Sequence, residues 1–233
     1  MYRLQRAGWL GFLGAMAFFF INYSAAVAQT ATIQGTVILE SSNPVTVGGN
    51  IGGYGLAPSD NSASSDPGLN DIIIWLEDKN EAAFYQRHDS VTKVLDQVDK
   101  QFKPRLMAVR VGNYVRIKNS DPVYHNVFSL SRTKRFDVGR RSPKEYRDVL
   151  FDQPGTVDVF CDIHSDMHAV IKVLPKQTVS WYKLDNSGDF SFEKIPNGDY
   201  RIHFFALGDR QKSLDVRVVD GKNIKLQAVR LGS

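Results

Sequence analysis

Beyond residue 30 the chain alternates short apolar runs with turn-forming residues, and the dominant period is two. That alternation predicts strands. Thr32–Leu39 (TIQGTVIL) and Asp71–Glu77 (DIIIWLE) are rich in β-branched residues. Further strands are expected at Leu106–Val111, Tyr114–Lys118, Asn126–Leu130, Tyr146–Phe151, Thr156–Cys161 and Ala169–Leu174, divided by Gly-Asn, Asp-Pro and Pro-Gly turn signals. Beyond these come Val179–Leu184, Asp189–Phe192 and Tyr200–Ala206, with turns at Asn186-Ser187-Gly188 and Pro196-Asn197-Gly198. Ser213–Val219 and Asn223–Arg230 flank Asp220-Gly221-Lys222, which predicts a hairpin. One stretch conflicts with the rest: Val91, Val94, Leu95, Val98 and Phe102 fall at helical spacing. Many short strands with regular turns predict an all-β fold of sandwich or barrel type.

Glu40–Asn70 is full of Gly, Ser, Asn and Pro and reads as a long surface loop. Its glycines (Gly48, Gly49, Gly52, Gly53, Gly55) do not make a phosphate cradle, because no strand leads directly into them and no helix signal follows. At the N-terminus, Arg3 and Arg6 precede an apolar run from Trp9 to Ile21 and the small residues Ala26-Val27-Ala28. That order predicts a secretory signal over 1–28, with cleavage before Gln29 and a periplasmic destination. The apolar run falls short of the about 20 residues that span a bilayer, so no membrane span is expected after cleavage. With Cys161 the only cysteine, none lies near the cleavage point to be acylated. Loss of residues 1–28 takes two arginines and no acid from a net charge of +4, leaving +2. Nucleic acid is therefore a poor partner despite a pI of 9.1. The 42% hydrophobic content supports a packed core rather than a disordered chain.

A lone cysteine in an exported chain is reactive, intermolecular or a ligand. Cys161 ends the strand Thr156–Cys161, and His164 and Met167 follow at intervals of three on a short loop before the next strand. Thiolate, imidazole and thioether describe a soft site, and one Cys with two His and a weak axial Met is the electron-transfer copper arrangement. His125, at the mouth of a strand after the Asp121-Pro122 turn, is the candidate second imidazole. The expected metal ligands are thus His125, Cys161, His164 and Met167, around one mononuclear type I copper. His168, next to Met167, is an alternative fourth ligand. Asn126 is a candidate for bridging the two ligand segments by hydrogen bonds.

The upstream Asn119-x-Asp121…His125-Asn126 and the downstream Cys161-x-x-His164-x-x-Met167 resemble the cupredoxin ligand pattern, with amicyanin-type spacing in the short loop. Phe102-Lys103-Pro104, Val111-Gly112, Phe136-Asp137 and Pro154-Gly155 fit the same resemblance, which is nearest to exported plastocyanin-like domains often labelled methylamine-utilisation proteins. It covers roughly Val91–Leu174. It implies a Greek-key sandwich, strand rather than helix over Val91–Phe102, and a backbone N–H from Asn126 to the cysteine sulfur. Asp162-Ile163 and Ser165-Asp166 stand where amicyanin-type loops carry prolines. Electrons are expected to pass through His164 to redox protein partners.

Asp185-Asn186-Ser187-Gly188-Asp189-Phe190 and Ile195-Pro196-Asn197-Gly198-Asp199-Tyr200 resemble carboxypeptidase regulatory-like modules, which implies a second small β-sandwich over 175–233. Such modules often begin with a strand like Ile33–Leu39, so the 29–90 region is expected to complete that module around an inserted 91–174 domain. His88 and His203 read as structural histidines and Met107 as core. Arg132, Lys134, Arg135, Arg140, Arg141, Lys144 and Arg147 form a basic run, a solvated face or a docking patch for an acidic partner. The absence of G-x-S-x-G, H-E-x-x-H or paired-carboxylate patterns argues against an enzyme. Two roles remain open at this stage, an electron relay and a copper carrier or buffer that delivers metal to an acceptor.

Overall fold

The structure, a computed structural model, describes residues 29–40, 68–80 and 92–232. The expected signal segment, most of the Glu40–Asn70 loop, His88 and Val91 lie outside the described residues. Two strands come from the N-terminal part: β1 (Thr30–Leu39) and β2 (Ile72–Asp78), the latter after a 3-10 turn at Leu69–Asp71. The middle of the chain supplies β3 (Lys93–Val98), β4 (Gln101–Lys103), β5 (Leu106–Arg110), β6 (Asn113–Asn119), β7 (His125–Leu130), β8 (Arg135–Arg141), β9 (Tyr146–Phe151), β10 (Gly155–Cys161) and β11 (His168–Leu174). Then follow β12 (Thr178–Lys183), β13 (Asp189–Pro196), β14 (Gly198–Ala206), β15 (Arg210–Val218), β16 (Ile224–Lys225) and β17 (Val229–Leu231). The fold is all-β, and among the described residues no helix is long and apolar enough to cross a membrane.

Four sheets form. Two carry the orders β13-β1-β16, with β17 also on β1, and β12-β2-β14-β15. The other two run β5-β11-β10-β7-β8 and β4-β3-β6-β9. The N-terminal strands β1 and β2 therefore pair with C-terminal strands, and the strands between Lys93 and Leu174 pair among themselves. Each pair of sheets encloses its own core. One holds Ile33, Val37, Ile74, Leu76, Phe192, Phe204 and Val218. The other holds Leu95, Val109, Ile117, Val127, Phe151, Val159 and Ile171.

A third core joins the two sandwiches. It contains Ile73 and Trp75 of β2, Leu106 and Ala108 of β5, Val170 and Leu174 of β11, and Phe205 of β14. This explains why Ile72–Leu76 and Leu106–Val109 are apolar without alternation: both faces of these strands are covered. Polar ties cross the same junction. Arg105 pairs with Asp71 at 2.6 Å, Lys183 donates to the Leu106 carbonyl at 3.3 Å, and Arg110 donates to the Thr178 carbonyl. Lys172 is buried there, its ammonium 4.3 Å from the Phe205 ring centre and bonded to Thr156 Oγ1 at 3.0 Å. Burial lowers its pKa.

One conflict in the sequence pattern resolves as strand, and two local expectations change. The helical spacing over Val91–Phe102 is overruled, because Asp99 and Lys100 both take left-handed φ (57° and 56°) and turn β3 back into β4. The inward residues are then Leu95 and Gln97, a period of two. Strand β8 lies within the segment read as a basic run; only Phe136 and Val138 mark its inner face, and the charges mask the alternation. The hairpin at Asp220-Gly221-Lys222 does not form. Its left-handed Asp220 and Gly221 (φ 54° and 62°) instead carry the chain to the opposite sheet, where β16 and β17 run parallel to β1. That crossing buries Val229 and Leu231 in the core, which a further edge strand on β15 would not do.

Gly188 ends the Asn186-Ser187-Gly188 turn with φ 76°, and a Cβ there would lie 2.7 Å from the Val37 carbonyl oxygen. That close approach lets the turn accept the Val37 N–H at 2.8 Å and lock β13 onto β1.

Candidate metal centre

Strand alternation brings the first two donors together. Along β10, Val157, Val159 and Cys161 face the core while Asp158 and Phe160 face outward. Along β7 the buried series is His125, Val127, Ser129. Cys161 is paired with Val127, so His125 is its diagonal neighbour on the same inner face. The loop after β10 then folds back: Met167 N–H donates to the His164 carbonyl at 3.2 Å and Asp162 N–H to the Asn126 carbonyl at 3.3 Å. That fold swings His164 over the sulfur.

Cys161 Sγ lies 3.6 Å from His125 Nδ1 and 3.8 Å from His164 Nδ1, and the two Nδ1 atoms are 3.1 Å apart. Among the described residues this is the one group of three His, Cys, Asp or Glu side chains able to hold a metal ion. The point equidistant from the three atoms falls inside their triangle, about 2 Å from each, close to ordinary metal–imidazole and metal–thiolate lengths. The residues present therefore fit a small soft ion. Met167, 1% exposed, is buried in the core beneath the same loop, together with Cys161. His168 points the other way: it stacks on Phe160 at 4.8 Å and its Nε2 meets Asp158 at 3.0 Å. It is not placed to replace Met167.

The ring of His125 is fully buried, and its far nitrogen is fixed by a carboxylate the sequence reading missed. His125 Nε2–H donates to Asp121 Oδ2 at 2.8 Å, which leaves the Nδ1 lone pair facing the sulfur. Asp121, 5% exposed, also accepts the backbone N–H groups of Asp99 and Lys100 at 2.6 and 2.9 Å. Burial alone would raise the Asp121 carboxyl, but these three donors together hold it below the usual carboxylate range. Asn119 completes the framework. Its Oδ1 accepts the Asp121 N–H at 3.0 Å, and its amide donates to the carbonyls of Val123 and Arg141. A carboxylate four residues before His125 is the available signal; the sequence pattern includes Asp121 but gives it no role.

His164 is half-buried, so one ring edge stays at the surface while Nδ1 faces inward. Burial, then the charges of His125 and Lys100, push its pKa down, favouring the neutral imidazole that ligation needs. Asn126 Nδ2 donates to Asp162 Oδ2 at 3.0 Å, so side chain and backbone both tie β7 to the ligand loop. His203, as expected, is structural: it stacks on Trp75 at 4.6 Å and accepts or donates to Ser213 at 2.8 Å. Met107 is core.

No family model matches the chain, and no curated protein matches it. Among solved structures it is similar to a copper-containing nitrite reductase from Thermus scotoductus SA-01, at 21% identity and TM-score 0.35, over 36% of this chain and 22% of that one. It is also similar to a reduced mutant of amicyanin, at 21% identity and TM-score 0.34, over 36% of this chain and 82% of that one. A purple cupredoxin from Nitrosopumilus maritimus aligns at 18% identity and TM-score 0.32, over 35% of this chain and 99% of that one.

Proposed function

We propose that this chain is an exported protein that would hold one copper ion between His125, Cys161 and His164, with Met167 as a weak fourth donor, and relay single electrons between protein partners. The observation that carries the reading is the convergence of one thiol and two imidazole Nδ1 atoms on a point about 2 Å from each. A copper ion bound there would supply a one-electron couple between its cuprous and cupric states. The protein's part is to keep the donors still. Asp121 and Asn119 fix His125, the β10–β7 pairing fixes Cys161, and the turn from His164 to Met167 fixes the loop. A donor set with Cys161 and His125 buried and the His125 ring fixed by Asp121 changes little between oxidation states. That favours relay over a carrier, whose ligands must open to release metal. The exposed edge of His164 is the route by which electrons enter and leave. The second sandwich, with its carboxypeptidase regulatory-like turn motifs, acts as a scaffold. Neither sandwich is assigned a catalytic residue.

Voltammetry of the copper-loaded protein tests the relay directly. A reversible wave of one electron per chain, unchanged over repeated cycles, is the expected result. Irreversible behaviour, with copper lost to solution on reduction, would favour the carrier instead.

A further inference from the structure

We infer that the partner presents an acidic protein face, and that it docks on the β8–β9 flank beside His164. The inference rests on the copper-relay reading above. Residues 131–150 hold seven basic and three acidic side chains, a net +4, whereas the whole chain from Gln29 onward carries only +2. The positive charge of the protein is thus concentrated in this one segment. Its two strands, β8 and β9, are edge strands of the two sheets that enclose the candidate metal centre, joined by the short connection over residues 142–145.

The acids within the segment are engaged internally. Asp148 takes the Arg116 guanidinium through two bonds, Glu145 accepts the Ser142 N–H, and Asp137 accepts the Gly139 N–H. Arg140, Lys144 and Arg147 are exposed and form no ion pair among the described residues. Register places Arg140 opposite Asn126 and Arg141 opposite His125, while Arg147 lies opposite Ile117 in the facing sheet. Lys100 adds a further exposed cation close enough to act on His164. On the loop after β10, Asp162 shares a surface hollow with Arg140, Asn126 and Ile163 and accepts from Asn126 Nδ2 at 3.0 Å, while Asp166 accepts from Ser165 Oγ at 3.4 Å.

At the centre of this basic rim sit exposed apolar side chains: Tyr124 at 48% and Ile163 at 45%, with the Arg140 guanidinium 4.7 Å above the Tyr124 ring. An apolar centre with a charged rim is the anatomy of a transient interface, where charge sets the encounter rate and the orientation. Protection of a sheet edge against pairing also uses charge, but it favours lysine and is indifferent to sign. Five of the seven basic residues here are arginine, the cation enriched at protein interfaces.

A gold electrode coated with a carboxylate-terminated monolayer stands in for the acidic face, and a hydroxyl-terminated one serves as control. Copper-loaded wild type is compared with Arg140→Glu/Arg147→Glu and with Lys176→Glu/Lys225→Glu, which makes the same change in net charge away from the site. On carboxylate the arginine pair should slow interfacial electron transfer by about tenfold or more at low salt, with the difference shrinking as salt is added. On hydroxyl all three proteins should match. Equal slowing by the remote lysine pair, or no slowing by the arginine pair, would overturn the inference while leaving the copper reading intact. Absence of any wave on both surfaces would overturn the copper reading and this inference with it.

Discussion

Cys161→Ala protein given one equivalent of copper(II) is expected to stay folded and to show none of the intense visible absorption that the wild type develops. The thiolate is the only side chain at the site whose charge transfer to copper(II) falls strongly in the visible, so removing it removes the colour at its source. The substitution deletes one heavy atom beside a packed core, a loss of about 1 kcal/mol, small enough for the sandwich to survive. Binding is affected far more than folding. At copper concentrations 100 times its dissociation constant, wild type gains about 2.7 kcal/mol from a ligand that binds only the folded state. The variant should gain almost none of this, a difference readable as a copper-dependent shift in melting temperature. Equal copper-induced stabilisation of both proteins would place the metal elsewhere.

Asp121→Ala should be the single substitution around the centre most damaging to stability. It strands the fully buried Nε2–H of His125, at about 1–3 kcal/mol, and also removes the acceptor of the part-buried N–H groups of Asp99 and Lys100. It also frees the imidazole to rotate or to change tautomer. Loss of an outer hydrogen-bond partner of this kind lowers metal affinity by about 10- to 100-fold. Asp121→Asn separates charge from position: it keeps a side chain of the same shape and removes the anion beside His125. Because that anion favours the more positive oxidised ion, its loss should raise the reduction potential. An unchanged potential in Asp121→Asn, with affinity lost only in Asp121→Ala, would reduce Asp121 to a structural role.

The legibility of this fold in its sequence depended on how each strand is buried. Where one face meets a core and the other meets water, as in β7 and β10, alternation is plain and the ligand strands were read nearly to their ends. Where a strand is covered on both faces, as in β2, apolar content reveals a strand but not what lies on either side. Where charge dominates, as in β8, two inward residues were too few to stand out. The Asp220-Gly221 signal was read as a hairpin because the turn is local, whereas the destination of the chain is set by which sheet still needs Val229 and Leu231.

The ligand set is a different case. Cys161, His164 and Met167 are close in sequence, so their spacing carries information. His125 had to be chosen from strand placement, and the register of β7 against β10 supplies the physical reason for that choice. The partner of its far nitrogen could not be seen from spacing alone, because a carboxylate in a turn takes on meaning only once the β3–β4 turn and the ring are brought against it.

The most direct measurement of the copper reading is X-ray anomalous scattering at the copper edge, from crystals of the protein loaded with one equivalent of copper. A single peak is expected between His125 Nδ1, Cys161 Sγ and His164 Nδ1, about 2 Å from each. A peak at any other place on the chain, or none between these three atoms, would contradict it.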